Sequence, residues 1–180
     1  MNSYNLNEQR NKIKNLRKAL TNSEVTALSN AVIDAVLTLD FSKANNLFIY
    51  RSFNGEVDTN RLISYFLSNN KTVAYPVIKG DIMVAGIPNS NDFSPSKFGT
   101  EEPTKYLEMN KVDVCFLPLL LCDKQKNRVG YGKGFYDKFL STHPCLKIGL
   151  GYDFQLVESL TPNPWDIPLD IIITDKQIIK

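Results

Sequence analysis

Beyond residue 45 the chain alternates short apolar runs with helical stretches and turns, and this alternation restricts the fold more than any other feature. Short apolar runs bounded by turn residues read as buried strands, and a helix between two of them is the crossover that a parallel pair requires. Leu47 to Tyr50 and Thr72 to Val77 are such runs. Between them a helix is predicted over Thr59 to Leu67, with Leu62, Ile63, Phe66 and Leu67 inward. Lys79-Gly80-Asp81 then turns the chain into Ile82 to Ile87, a local antiparallel hairpin. Val112 to Leu117 is apolar on both faces except at Asp113, as a central strand is. Leu146 to Leu150 and Leu169 to Ile173 add two more strands, separated by a predicted helix over Asp153 to Leu160 and a Pro-containing segment around Trp165, itself read as core. The expected fold is α/β: a single domain over residues 1–180, with a mostly parallel sheet flanked by helices in a Rossmann-like three-layer arrangement.

Two helices precede the alternation. Leu6 to Leu20 is rich in Lys and Arg, with Leu6, Ile13, Leu16 and Leu20 loosely on one side, an amphipathic basic helix. Thr21 offers an N-cap and Glu24 completes a capping box for a second helix, whose buried face is expected to be Val25, Leu28, Val32, Ala35, Val36 and Leu39. Residues Pro88 to Pro103, rich in Pro, Ser and Asn, read as a loop long enough to be functional or mobile.

Composition narrows the function classes. The chain has 180 residues, 43% hydrophobic and 22% charged, as expected of one packed globular core. Its 21 basic against 19 acidic residues leave a net charge of +2, too balanced for a protein devoted to neutralising a nucleic-acid backbone. The longest apolar stretch, Val114 to Cys122, is nine residues and contains Pro118, about half of a membrane span. The N-terminal residues lack the apolar stretch of a secretory signal, so a cytoplasmic protein is expected. Cys115, Cys122 and Cys145 form no CxxC pair, and His143 beside Pro144 reads as a surface-loop residue. A monomer with no obligate protein partner is expected.

The chemistry concentrates in Gly130-Tyr131-Gly132-Lys133-Gly134, which follows a strand and turn and precedes a helix beginning near Phe135. In that context glycines permit positive φ and close ligand approach, freed N–H groups converge on an anion, and the helix N-terminus adds partial positive charge. Arg128 and Lys133 add full charges. The loop matches neither the P-loop nor the dinucleotide GxGxxG fingerprint, and close strand-to-helix packing would also explain its glycines. Asp137, in the first turn of the following helix, either holds a Mg²⁺ that bridges phosphates or complements the helix dipole. Asp170 by itself reads as a structural strand-end carboxylate, and Glu56 beside Asp58 as an acidic turn residue.

RVGYGKGFYDKFL closely resembles the signature loop of the 5-formyltetrahydrofolate cyclo-ligase family. GEVDT (Gly55 to Thr59), FGTEEP (Phe98 to Pro103) and PWDIPLDIIITD (Pro164 to Asp175) resemble its acidic substrate turn, its mid-chain Glu-Pro element and its C-terminal strand, in order and over nearly the whole chain. The resemblance implies an ATP- and Mg²⁺-dependent conversion of 5-formyltetrahydrofolate to 5,10-methenyltetrahydrofolate, with release of ADP and phosphate. It assigns ATP to Arg10 and to Arg128, Val129, Gly130, Tyr131, Gly132, Lys133, Gly134, Phe135 and Tyr136, with Lys133, Arg128 and Tyr136 catalytic. It assigns the folate to Arg51, Glu56, Tyr131, Gly132, Lys133, Gly134 and Phe135, and Mg²⁺ to Asp137 and Asp170. Phe135 and Tyr136 either stack on the flat pterin or anchor the helix. One position departs from the pattern: the family usually carries a lysine where this chain has Leu6, leaving Lys12 and Lys14 to supply that charge. Two other classes fit parts of the sequence. A different ATP-dependent or sugar-phosphate enzyme would keep the loop without Glu56 and the two Asp residues, and a non-catalytic folate- or nucleotide-binding protein would bind without turnover.

Overall fold

The computed structural model describes residues 3–90, 92–97 and 99–180. The chain opens with α1 (Ser3–Ala19) and α2 (Asn22–Val36). Thr21 caps α2 as its sequence predicts: its hydroxyl accepts from the Glu24 N–H at 3.3 Å, and its own N–H donates to the Glu24 carboxylate at 2.8 Å. The buried face of α2 comprises Ser29, Val32, Ile33 and Val36, while Val25 is only partly covered.

The remaining elements are β1 (Asn46–Ile49), α3 (Asn60–Ser68), β2 (Thr72–Lys79), β3 (Ile82–Pro88), β4 (Phe93–Pro95), β5 (Glu101–Pro103), β6 (Tyr106–Glu108), β7 (Val114–Pro118), β8 (Leu121–Asp123), β9 (Arg128–Val129), α4 (Phe135–Thr142), β10 (Leu146–Leu150), a 3-10 turn (Asp153–Gln155), β11 (Leu156–Val157), β12 (Ile171–Ile173) and β13 (Ile178–Ile179). The main sheet has the order β13-β12-β10-β7-β1-β2-β3-β6. Its five inner strands, β12, β10, β7, β1 and β2, run parallel, and β13, β3 and β6 close the two rims antiparallel.

Both faces of this sheet are covered, as a parallel sheet requires. Leu47 and Ile49 of β1 and Val114 and Phe116 of β7 pack with α2 and α3, whereas the alternating Phe48, Cys115 and Leu117 pack with Phe139 and Leu140 of α4. The one polar residue of the central run, Asp113, accepts the N–H groups of Asn45 and Asn46, each at 2.9 Å. Among the described residues no helix is long and apolar enough to cross a membrane.

Three expectations are corrected. The helix over Asp153 to Leu160 is a 3-10 turn followed by β11, because fully buried Gln155 donates to the carbonyls of Leu119 and Leu120 and accepts the Tyr152 N–H, which pins the segment in place. Leu67 lies 51% exposed at the end of α3. The stretch from Pro88 to Pro103 contains a two-stranded ribbon, β4 with β5, and Phe98 of FGTEEP lies outside the described residues.

The chain order of the parallel strands makes the functional prediction. From β1 it steps one way to β2, then returns past β1 to β7, β10 and β12. The switch point lies between β1 and β7, and the crevice beyond their carboxyl ends is where open α/β sheets bind ligands.

Candidate functional site

A cleft of about 750 Å³ occupies that position. Tyr50 and Arg51 after β1 and Pro118 at the end of β7 line it, together with the whole run from Asn127 to Asp137. Leu6 and Arg10 of α1, Glu56, the β5 residues Glu101 and Glu102, and Trp165 complete its edge.

The antiparallel pairing of β8 with β9 delivers Arg128 to the cleft, and Gly134 starts α4. Between them Gly132 holds φ +86°, and a Cβ there would lie 3.7 Å from the Arg10 guanidinium. Arg128 donates to Asp137 Oδ1 at 2.7 Å and lies over the Tyr136 ring at 5.8 Å. The Nε groups of Arg10 and Arg128 are buried without a hydrogen-bond partner. Two unspent cationic donors beside a glycine loop form a cradle for an anion, since buried N–H groups otherwise find acceptors. Lys133 is exposed on the loop, and Lys14 lies 5.6 Å above the Tyr131 ring, so of Lys12 and Lys14 it is Lys14 that reaches the loop. Tyr136 packs on Phe48 and Phe135 against the same core, so both anchor the helix while lining the cleft.

Glu56 lies in the turn after β1 and is 5% exposed. Its carboxylate accepts the Phe53 N–H at 3.0 Å. Burial pushes its pKa up to about 7, against the pull of Arg17, the Phe53 N–H and the Tyr131 hydroxyl. Tyr131 in turn is pushed up to about 12, by burial first and by Glu56 next. Arg51 pairs with Glu101 at 2.7 Å and lies 4.4 Å from the Phe93 ring centroid, tying the β4–β5 ribbon to the end of β1.

Of the two carboxylates expected at Mg²⁺, Asp137 reaches the cleft. Its Oδ1 accepts from Arg128 and from the Ile167 N–H at 3.2 Å. Asp170 does not join it. It precedes β12 at the amino end of the parallel strands, outside the cleft lining, and binds the backbone N–H and the ammonium of Lys147, each at 2.7 Å. A shared Asp137–Asp170 site is therefore absent from this arrangement, and no group of three metal-ligating side chains occurs among the described residues. Asp166, whose chain neighbour Ile167 donates to Asp137, lines the cleft beside it.

Trp165, expected in the core, is 70% exposed and lines the cleft. Two further residues join the site without an individual role assigned from the sequence, Glu102 of the FGTEEP element and Arg17 of the basic first helix. Glu102 lines the cleft with one buried oxygen lacking a partner, and burial raises its pKa. Arg17 is 3% exposed and touches Tyr131. Its spacing of four from buried Ile13 was the available signal, since i and i+4 share a helix face.

A family model described as the 5-formyltetrahydrofolate cyclo-ligase family matches residues 3–175. Among curated relatives, a 5-formyltetrahydrofolate cyclo-ligase of Haemophilus influenzae is 32% identical over 186 residues, covering 96% of this chain and 100% of the relative. One from Escherichia coli is 28% identical over 178 residues, covering 92% and 98%. Among solved structures, the 5,10-methenyltetrahydrofolate synthetase of Aquifex aeolicus superposes with a TM-score of 0.84 at 32% identity, over 96% of this chain and 90% of that one. The synthetase of Mycoplasma pneumoniae gives 0.76 at 27% identity, over 94% and 98%.

Proposed function

This chain belongs to the 5-formyltetrahydrofolate cyclo-ligase family, and from that membership we propose that its cleft drives ring closure of 5-formyltetrahydrofolate with ATP and Mg²⁺. The observation that carries the ATP part is the pair of unpartnered, buried Nε groups of Arg10, beside the positive-φ Gly132, and Arg128, beside Gly130. The cyclo-ligase activity belongs to the family, and the use of ATP and the residue roles are our reading of this cleft.

A formyl oxygen on nitrogen is a poor leaving group. It becomes a good one when it attacks the γ-phosphorus of ATP and ADP departs. The neighbouring anilino nitrogen then attacks the formyl carbon and loses its proton, and the C–O bond to phosphate breaks to leave the methenyl bridge. Phosphoryl transfer depends on positioning and on neutralising charge at the equatorial oxygens. The loop N–H groups, Lys133 and Arg128 supply that here, with Arg10 holding the far side of the phosphates. Asp137 and Tyr136 keep the Arg128 fork aimed into the cleft. Glu56 accepts the paired donors of the pterin ring through its two oxygens. Bound at Asp137 on the nucleotide oxygens, Mg²⁺ would supply further charge neutralisation. Every residue invoked belongs to one cleft of one chain, so a monomer suffices.

The deciding experiment mixes purified protein with 5-formyltetrahydrofolate, ATP and Mg²⁺ and follows methenyl absorbance together with ADP. Equal amounts of both products are expected, with none when ATP is omitted. Binding of both ligands without turnover would instead establish a binding protein.

Two local predictions follow from this arrangement. Asp137→Asn lowers turnover on the order of 10–100-fold, the usual effect of removing a residue that supports a ligand site. Raising Mg²⁺ restores part of the loss if Asp137 meets the cation, and initial rates across a Mg²⁺ series measure it. Trp165 is the only tryptophan of the chain and stands on the rim beside Thr161 and Pro162. Its fluorescence changes on ATP addition without folate, and an emission unaltered at saturating ATP would take the nucleotide away from that rim.

A further inference from the structure

Arg17 belongs to the basic first helix and to none of the four segments that carry the family resemblance, yet it stands where the two halves of the cleft meet. We infer that Arg17 is a positioning residue, which holds the Glu56 carboxylate and the Tyr131 hydroxyl together and so joins the turn that reads the pterin to the loop that takes the phosphates. This inference rests on the function proposed above.

Its guanidinium is divided between two partners. Nη1 donates to the Tyr131 hydroxyl at 3.3 Å, and Nη2 donates to the Leu119 carbonyl just beyond β7. The planar fork of an arginine holds both at once in a fixed geometry, which the flexible ammonium of a lysine does not reproduce. The turn preceding Glu56 is pressed against this residue: at Gly55, with φ +68°, a Cβ would come within 3.1 Å of Arg17 Cβ and 3.2 Å of its carbonyl oxygen. A side chain at position 55 would push the turn, and Glu56 with it, away from α1.

Five titratable groups face Glu56. Arg17 comes from α1, Tyr131 from the glycine loop, Tyr50 from the end of β1, Tyr136 from α4, and Tyr152 from beyond β10. Tyr152 also donates to the Glu56 carbonyl at 3.1 Å. Of these groups only Arg17 is a cation. A buried carboxylate surrounded by phenols and apolar side chains tends to protonate, and the buried guanidinium opposes that tendency.

The test compares wild type, Arg17→Met and Arg17→Lys, each also with Glu56→Gln, by folate and ATP KM and by the pH profile of kcat/KM for folate. In wild type the profile rises as Glu56 ionises, with its acid limb near pH 7. Arg17→Met raises the Glu56 pKa, so the limb moves upward by about 1–3 pH units, folate kcat/KM at neutral pH falls tenfold or more, and activity returns at higher pH. Arg17→Lys keeps the limb in place but raises folate KM several-fold, because Tyr131 is released. ATP KM stays within about twofold in both. With Glu56→Gln present, neither Arg17 substitution changes folate KM further by more than about twofold, as expected for two residues acting through one contact.

An unmoved limb in a folded Arg17→Met, or the same loss of folate KM with and without Glu56, overturns the inference. If circular dichroism shows Arg17→Met unfolded, Arg17→Lys in the two Glu56 backgrounds decides alone. Failure of the proposed function looks different: wild type then shows no ATP-dependent turnover, or Glu56→Gln alone leaves folate KM unchanged.

Discussion

Gly132→Ala abolishes ATP binding in a protein that still folds. With φ at +86°, alanine at this position carries about 1–2 kcal/mol of left-handed strain. The added methyl meets only the Arg10 guanidinium, at 3.7 Å from Nη2 and 3.9 Å from Cζ, so it clashes with nothing in the unliganded protein. A domain stability of about 5–15 kcal/mol absorbs that strain. The ligand has no such margin. The methyl stands between the loop backbone and Arg10, where a phosphate oxygen must lie near 3 Å from its donors. Losing two charge-assisted hydrogen bonds at about 1.5–3 kcal/mol each weakens binding by at least about 100-fold. Calorimetric titration with ATP, with circular dichroism to establish the fold, measures both effects. Wild-type affinity in a folded variant would remove the phosphate-loop assignment.

Glu56→Gln should weaken folate recognition and at the same time stabilise the protein at alkaline pH relative to acid. The glutamine loses one charge-assisted hydrogen bond to the pterin, worth about 1.5–3 kcal/mol, so folate KM rises by about 10–100-fold while ATP KM holds. Equal weakening of both ligands would mean that Glu56 holds the site together and does not read the pterin.

The stability effect follows from the direction of the pKa shift. In the folded protein the Glu56 carboxyl titrates near 7, above its ordinary value of 4.5. Its contribution is therefore fully present below pH 4.5 and is lost as pH rises through 7. A shift of that size corresponds to about 3 kcal/mol. Because glutamine does not titrate, the stability of Glu56→Gln relative to wild type improves by about that amount between acid and alkaline pH, whatever offset the unpaired Arg17 adds at both ends. Urea unfolding of the two proteins at about pH 4 and about pH 8 reads the difference. A constant difference across pH would place the Glu56 carboxyl at its ordinary value.

Much of this site was legible in one dimension. The capping box at Thr21 and Glu24, the hairpin turn at Gly80, and the strand-to-loop-to-helix context of Gly130 to Gly134 involve groups within a few residues of one another. The parallel core was readable because a strand covered on both faces must be apolar on both faces, and β1 and β7 are. The pattern failed where a distant group set the local structure. Asp153 to Leu160 reads as helical, but Gln155 binds backbone carbonyls 35 and 36 residues away, and those bonds hold the chain out of a helix.

By itself the sequence determined the α/β class, the cap and turn positions and the strand, glycine-loop and helix order of residues 128–142, and it offered Glu56 as an acidic turn residue. All of these depend on periodicity, on conformations only certain residues adopt, or on motif spacing. Tertiary structure alone decided that Arg17 meets Tyr131 across 114 residues, that Asp170 goes to Lys147 and away from Asp137, and that Trp165 faces the cleft. The reason is physical: the charge state of a side chain and the partner it takes depend on which surfaces fold against it, and those surfaces come from sheet order and strand register. A residue's neighbours along the chain do not specify either one.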